Sequence, residues 1–340
     1  MFEKQVRIPE PEEIKQAKPL PPELKKIKEE RDNLISSVIT GESDKLVIIV
    51  GPCSAHSEKP VLDYVERLGK LNEKVKDKLV LVPRIYTNKP RTKGVGYKGM
   101  FSQPDPKKGE DILKGINAIR ELNISAIGVS GLSAADEMLY PANYAYLDDL
   151  LSYVAVGARS SENQLHRLTA SGVDVPVGIK NPMSGSILVL LNSIYAAQSG
   201  QIFKLNGWQV KTNGNPLAHA ILRGAVDGYG NDIPNFHYET VMQVIDGYAK
   251  SGLKNPAIII DANHSNSNKK FKQQIRICEE VMQNRLYDAD FKKNVKGFMI
   301  ESFIEEGNQS EDKVYGKSIT DPCLGWCDTE RLILDIADKV

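Results

Sequence analysis

Eight side chains able to hold an anion or a metal ion stand where short apolar runs of the sequence end: Cys53, Arg84, Glu137, Arg159, Lys180, Arg223, His264 and Glu301. Arginine offers a planar fork that matches phosphate or carboxylate bidentately, and lysine a compact charge. Arg84, Arg159, Lys180 and Arg223 on one mouth would therefore suit a small ligand with several negative charges. Taken singly, each is as readily an ordinary ion-pair partner of Asp136, Glu137 or Asp261; taken together they repel one another unless an anion joins them. The segment KPRT (89–92) adds a second anion site after the second run, and no carboxylate interrupts the stretch from Arg84 to Lys98.

Cys53, His264 and Glu301 form a different set with an aspartate from the last loop, Asp321 in SITDPCLGW being the first choice. A thiolate, an imidazole and two carboxylates mix soft and hard donors, which suits Mn, Fe, Co or Zn and is unlike a closed structural zinc site. No local spacing motif ties these residues together, and read alone His264 is a hydrogen-bonded strand-end imidazole and Cys53 a core thiol. Asp261, three residues before His264, competes with Asp321. Alternation along a strand aims it the other way, toward supporting a ligand or pairing with a lysine.

These residues can meet only if the runs before them are parallel strands with a common C-terminal face. The runs are KLVIIVGPC (45–53), LVLVPRIY (79–86), LSAADEM (132–138), YVAVGAR (153–159), VPVGIKN (175–181), HAILRG (219–224), AIIIDANH (257–264) and GFMIES (297–302). Eight strands separated by helix-length amphipathic segments predict an α/β fold, a (β/α)8 TIM barrel whose βα loops build the active site; a doubly wound open sheet is the alternative. QIFKLNG and WQVKT read as a β-hairpin inserted before the sixth strand. Residues 1–44 read as an N-terminal helical extension, a subunit-contact or regulatory arm, before a catalytic barrel over 45–340. Its one predicted helix lies within 21–41, with Pro21 and Pro22 at the start and Gly41 at the stop.

The 340 residues carry 44 Lys+Arg against 44 Asp+Glu, so no general affinity for nucleic acid or anionic membrane is expected and any cationic site must be local. An apolar fraction of 41% and charged fraction of 26% are those of a soluble globular protein. Neither a long apolar run nor an N-terminal apolar core suggests a membrane span or secretion signal, which makes a cytoplasmic protein the expectation. Four scattered cysteines exclude a disulfide framework. No G-x-G-x-x-G follows a strand, and Walker A and G-x-S-x-G motifs are absent, which removes the main support for nucleotide, nicotinamide and serine-hydrolase chemistry.

In order along the chain, VGPCSAH, KPRTKGVGYKG, VGARSSENQLHR, PVGIKN, AILRG, DANHSNSNKK, ESFIEEGNQS and YGKSITDPCLGW closely resemble type I 3-deoxy-D-arabino-heptulosonate 7-phosphate (DAHP) synthase, in the form with an N-terminal extension. The resemblance implies a barrel enzyme that condenses phosphoenolpyruvate with erythrose 4-phosphate and releases phosphate at the entry to the shikimate route. It implies one divalent metal ion held by Cys53, His264, Glu301 and Asp321. Phosphoenolpyruvate would lie on Arg84, Lys98, the Ala158 backbone, Arg159, Lys180 and Arg223, with Glu137 nearby. Erythrose 4-phosphate would lie against Lys89, Pro90, Arg91 and Thr92, toward Asp321 and the metal. Lys89 is the candidate acid for the new alkoxide, on the expectation that like-charge neighbours lower its pKa. Feedback by Phe, Tyr or Trp and a homodimeric or homotetrameric assembly are further implications.

Two stretches depart from the family pattern: KNPM (180–183) stands in place of Lys-Asn-Gly-Thr, and the segment after the third strand, EMLYPANY (137–144), is short. The rival readings are the sister synthase that makes 3-deoxy-D-manno-octulosonate 8-phosphate from arabinose 5-phosphate, a metal-dependent aldolase, and an inactive barrel serving as an aromatic amino-acid sensor. KPRT argues against the first, and the density of central cations against the other two.

Overall fold

The computed structural model describes residues 1–91 and 94–340. Eight parallel strands form one sheet: β1 (Leu46–Gly51), β2 (Leu79–Pro83), β3 (Ala134–Glu137), β4 (Leu151–Val156), β5 (Val177–Lys180), β6 (His219–Leu222), β7 (Ile258–Asp261) and β8 (Val295–Glu301). Their order, β2-β1-β8-β7-β6-β5-β4-β3, steps round the sequence without a switch point. The free edges meet where Arg84 bridges to Ala135 and the Ile85 amide donates to the Ala135 carbonyl at 3.0 Å, so the sheet closes into a TIM barrel and the open-sheet alternative falls.

The strands read as unbroken apolar runs because both faces are buried. In β1, Leu46, Ile48 and Val50 pack outward on the helices, whereas Val47 and Ile49 fill the barrel with Val80, Val82 and Met299. Polar groups inside the barrel are paired. Tyr153 Oη reaches His219 Nε2 at 2.8 Å, while His219 Nδ1 is 2.8 Å from the Leu217 carbonyl and donates to it. Burial holds the imidazole's pKa down to about 4, which keeps it neutral. A Cβ on Gly178 would come within 2.0 Å of the tyrosine oxygen, so a residue without a side chain makes the room.

The extension contains two helices, α1 (Pro11–Ala17) and α2 (Pro22–Thr40), where the sequence predicts one. α1 is short and lies in a Pro- and Glu-rich stretch, which hides its period. Pro21 and Gly41 stand at the caps of α2 as expected, Gly41 in the left-handed region at φ 83°. Ile35 and Val38 of α2 pack on the barrel-filling residues and cover the end where the strands begin. Helices follow every strand except β3: α3 (Glu58–Val75), α4 (Ile112–Ser130), α5 (Gln164–Ala170), α6 (Ile187–Gln198), α7 (Tyr238–Ser251), α8 (Gln273–Tyr287), α9 (Ala289–Asn294) and α10 (Trp326–Asp338). Between β3 and β4 only the 3-10 turn Pro141–Tyr146 is formed, the structural outcome of the short EMLYPANY segment. The extension docks there: Tyr146 Oη donates to the Pro9 carbonyl at 2.8 Å, Lys15 pairs with Asp148 at 2.9 Å, and buried Arg120 links the Lys18 carbonyl to Asp149. The predicted hairpin, Ile202–Leu205 with Trp208–Lys211, is antiparallel and precedes β6.

Candidate active site

The barrel delivers its chemistry where the strands stop. Glu137, Lys180 and Glu301 are the last residues of β3, β5 and β8, and Arg84 and Arg223 follow directly after β2 and β6. Cys53 is two residues past β1, Arg159 three past β4, and His264 opens the 3-10 turn after β7. A cavity of about 260 Å³ opens among them, lined by Cys53, Arg84, Lys89, Pro90, Arg91, Glu137, Ala158, Arg159, Lys180, Arg223, His264 and Asp321. Glu301 lies behind the wall, 1% exposed. Lys98 stands apart from this cavity: its ammonium pairs with Glu110 at 2.6 Å in a more open part of the loop. Thr92, expected at the aldose phosphate, lies outside the described residues, as does Lys93.

Donor atoms of Cys53, Glu301 and Asp321 all fall within 4.8 Å of one another. His264 stands beside them, with Nε2 3.7 Å from Glu301 Oε1 and Nδ1 2.8 Å from Asp261 Oδ2. Asp261 thus backs the imidazole from the far side, a common arrangement for a metal-binding histidine, and it also meets Lys180 at 3.5 Å. Glu301 Oε1 is buried and lies 2.9 Å from Arg84 without hydrogen-bond geometry. Such an underused carboxylate oxygen beside a thiol, an imidazole and the Asp321 carboxylate forms a donor set that a divalent ion would complete. Burial, then the Glu301 charge, pushes the Cys53 thiol up.

The basic stretch is less bare than it reads, because folding brings carboxylates to it. Arg84 meets Glu301 at 2.9 Å and donates to the Pro52 carbonyl at 2.8 Å. Lys89 Nζ lies 2.8 Å from both Cys53 Sγ and Asp321 Oδ2. This corrects the expectation for Lys89. Burial by itself would lower its pKa, but the surrounding Cys53, Asp321 and Glu301 outweigh burial and raise it. Asp321 is correspondingly held well below the usual carboxylate range: burial acts against this, and Lys89 overcomes it. Lys180 Nζ sits 3.4 Å from Glu137 Oε2. Burial opposes the Glu137 charge, yet Lys180 and then Arg84 hold its pKa down. Arg223, whose pKa burial lowers, donates to Ser265 Oγ at 3.1 Å and approaches Met183 Sδ at 3.6 Å, so the KNPM departure puts a thioether at the cavity edge.

Several lining residues escaped the sequence reading. The ring of Tyr86 carries Arg84 at 3.8 Å and lies 5.8 Å from Lys180, an electron-rich floor under two cations. It follows Arg84 by two, so strand alternation could have placed it on the same side. Asn88 and Lys269 also line the cavity from loops, Ser265 from the 3-10 turn after β7 and Asp232 from a two-residue strand, all too short for a periodicity to mark them. Next to the site, Asp136 accepts from the Thr87 and Glu137 amides at 2.9 and 2.7 Å; burial still pushes its pKa up to about 7. Of the other cysteines, Cys278 and Cys323 are buried thiols and Cys327 is exposed.

Comparison with known proteins gives the family and relatives that this chain resembles. The family model described as DAHP synthetase I family matches residues 20–333. The Phe-sensitive phospho-2-dehydro-3-deoxyheptonate aldolase of Escherichia coli K12 is 40% identical, over 90% of this chain and 87% of its own. The Trp-sensitive enzyme of Enterobacter agglomerans is 38% identical over the same shares. The Tyr-sensitive enzyme of Salmonella typhimurium is 36% identical over 96% of this chain and 91% of its own. A solved structure of phospho-2-dehydro-3-deoxyheptonate aldolase from Francisella tularensis SCHU S4 superimposes with a TM-score of 0.91 at 30% identity, covering 100% of this chain and 98% of that one.

Proposed function

Because this chain belongs to the DAHP synthetase I family and is a transferase of the DAHP synthase type, we propose that it joins phosphoenolpyruvate to D-erythrose 4-phosphate and water, giving DAHP and phosphate. The observation that carries this reading is one cavity lined by Arg84, Arg159, Lys180 and Arg223 together with Cys53, His264 and Asp321, with Glu301 directly behind its wall and Lys89 against Cys53 and Asp321. Two phosphorylated substrates, one of them also a carboxylate, need a concentrated cationic mouth on a chain without net charge.

Arg84, Arg159, Lys180 and Arg223 bind the phosphate and carboxylate of phosphoenolpyruvate, the first from its stacked position on Tyr86. Lys89, Pro90, Arg91 and Thr92 receive the aldose phosphate. C3 of the enolpyruvate attacks the aldehyde carbon with the electron pair of its double bond, leaving a cationic C2. The new alkoxide takes a proton from the Lys89 ammonium, which stands 2.8 Å from Asp321 Oδ2 at the cavity wall. Water adds at C2 and gives up one proton, which restores the Lys89 ammonium; the C2–O bond to phosphate then breaks with its electron pair leaving on phosphate, and the remaining C2 hydroxyl passes its proton to the departing phosphate as it becomes the ketone. Cys53, His264, Glu301 and Asp321 would hold one divalent ion, Mn, Fe, Co or Zn, which when bound supplies Lewis-acid polarisation of the aldehyde. Relatives named for sensitivity to Phe, Trp and Tyr support a feedback effector of the aromatic amino-acid class, and a homo-oligomeric state belongs to the same reading. No helix among the described residues is long and apolar enough to cross a membrane.

Phosphate release should be lost on exhaustive chelation and return when Mn²⁺ is added back to the wild-type chain, but not to Cys53→Ala. Turnover that survives chelation would contradict the metal assignment.

A further inference from the structure

A second concentration of positive charge lies at the opposite end of the barrel. There, where α2 ends and β1 and β8 begin, a cavity of about 430 Å³ is lined by Lys45, Arg285, Lys292, Lys293 and Lys296, with Asp44 as its one carboxylate. Two of these cations, Arg285 and Lys45, contact backbone carbonyls instead of acids. Arg285 donates to the Lys292 carbonyl at 2.7 Å and to that of Val295, and Lys45 to the Lys76 carbonyl at 2.7 Å. Arg285 is 5% exposed although it lines the cavity, so its charge is not spent on solvent. Lys296 is half-buried, with its ammonium 3.5 Å from where a Cβ on Gly41 would stand, beside the C-terminus of α2. The carbonyl ends of that helix favour one cation nearby, not five.

Arg285 is buried and Lys45 and Lys296 are half-buried, with Lys292 and Lys293 exposed at the rim, so the inner charges share one acid, and an anion would offset the cost of holding them together. Asn255 and Asn294 add amide groups to the wall, whose apolar part is Ile39, Leu46, Pro256 and Ala289 with no aromatic side chain among the lining residues. We infer that this cavity is a binding site for a compact oxyanion with two or more negative charges, separate from the catalytic mouth. In support, burial and then Arg285 lower the pKa of Lys296, and burial lowers that of Arg285 to about 10, as expected for charges awaiting a counter-ion.

The test is isothermal titration of the full chain carrying Arg159→Ala and Arg223→Ala, which weaken the mouth, with inorganic pyrophosphate and separately with citrate. The same titrations are run with Lys293→Gln and Lys296→Met added. Losing these two charges should weaken binding by at least about tenfold, since each charge-assisted contact is worth more than one neutral hydrogen bond. A loss for pyrophosphate alone assigns the site to phosphoryl anions, and a loss for citrate alone to polycarboxylates. Phosphate release by the Lys293→Gln/Lys296→Met chain with an intact mouth should match wild type, which separates this site from catalysis. Identical isotherms with and without the two substitutions, or no binding to either, would overturn the inference.

Discussion

Lys180→Met is expected to lower kcat/KM for phosphate release by about a thousandfold, the scale of removing a preorganised charge from a closed site, and to destabilise the fold as well. Lys180 is 3% exposed and is the cation between two buried acids, Glu137 at 3.4 Å and Asp261 at 3.5 Å. Methionine fills similar space but leaves both carboxylates facing one another without their shared partner. Breaking a buried ionic contact by removing one side typically costs about 3–5 kcal/mol. Asp261 also backs His264, so the damage spreads toward the metal-binding donors. Denaturant unfolding and a phosphate-release assay check the two effects separately. A variant as stable as wild type would mean that the acids are not held by this lysine.

Lys89→Met should have the opposite profile: turnover falls by about 10²–10⁴-fold, the usual yield of a positioned acid, while phosphoenolpyruvate binding stays within a few-fold and stability changes little. Lys89 touches Cys53 and Asp321 rather than the enolpyruvate cations, and Asp321 is 52% exposed at its side chain, so water can replace the lost ammonium. Single-turnover kinetics with a direct binding measurement resolves the split. A large loss of phosphoenolpyruvate affinity would move Lys89 from proton donor to phosphate ligand.

The barrel was legible because parallel strands buried on both faces leave unbroken runs such as LVIIV, and because each run ends in a functional group. That convention also put Cys53, His264 and Glu301 on one face, and the last loop adds Asp321, although no spacing motif joins the four. What sequence proximity conceals is the partner that folding delivers. Arg84, Lys89 and Lys98 read as an unneutralised row, yet they meet Glu301, Asp321 and Glu110. The pKa expected for Lys89 had the wrong sign for this reason: its nearest charges come from loops distant in the chain. Tyr86 was missed because an aromatic at a strand end reads as core, although its ring carries the Arg84 guanidinium. The short α1 and the missing helix after β3 belong together, since the extension packs where a crossover helix would otherwise lie.

The proposed reaction pairs phosphoenolpyruvate with a four-carbon aldose phosphate in the cavity that Lys89, Pro90 and Arg91 line. Phosphate release measured with phosphoenolpyruvate and either erythrose 4-phosphate or arabinose 5-phosphate, on the metal-loaded chain, tests it most directly. The expected result is release that requires the aldose and is at least about a hundredfold faster with erythrose 4-phosphate, a discrimination of roughly 3 kcal/mol in the transition state. Equal or faster release with arabinose 5-phosphate, or release without any aldose, would contradict the account.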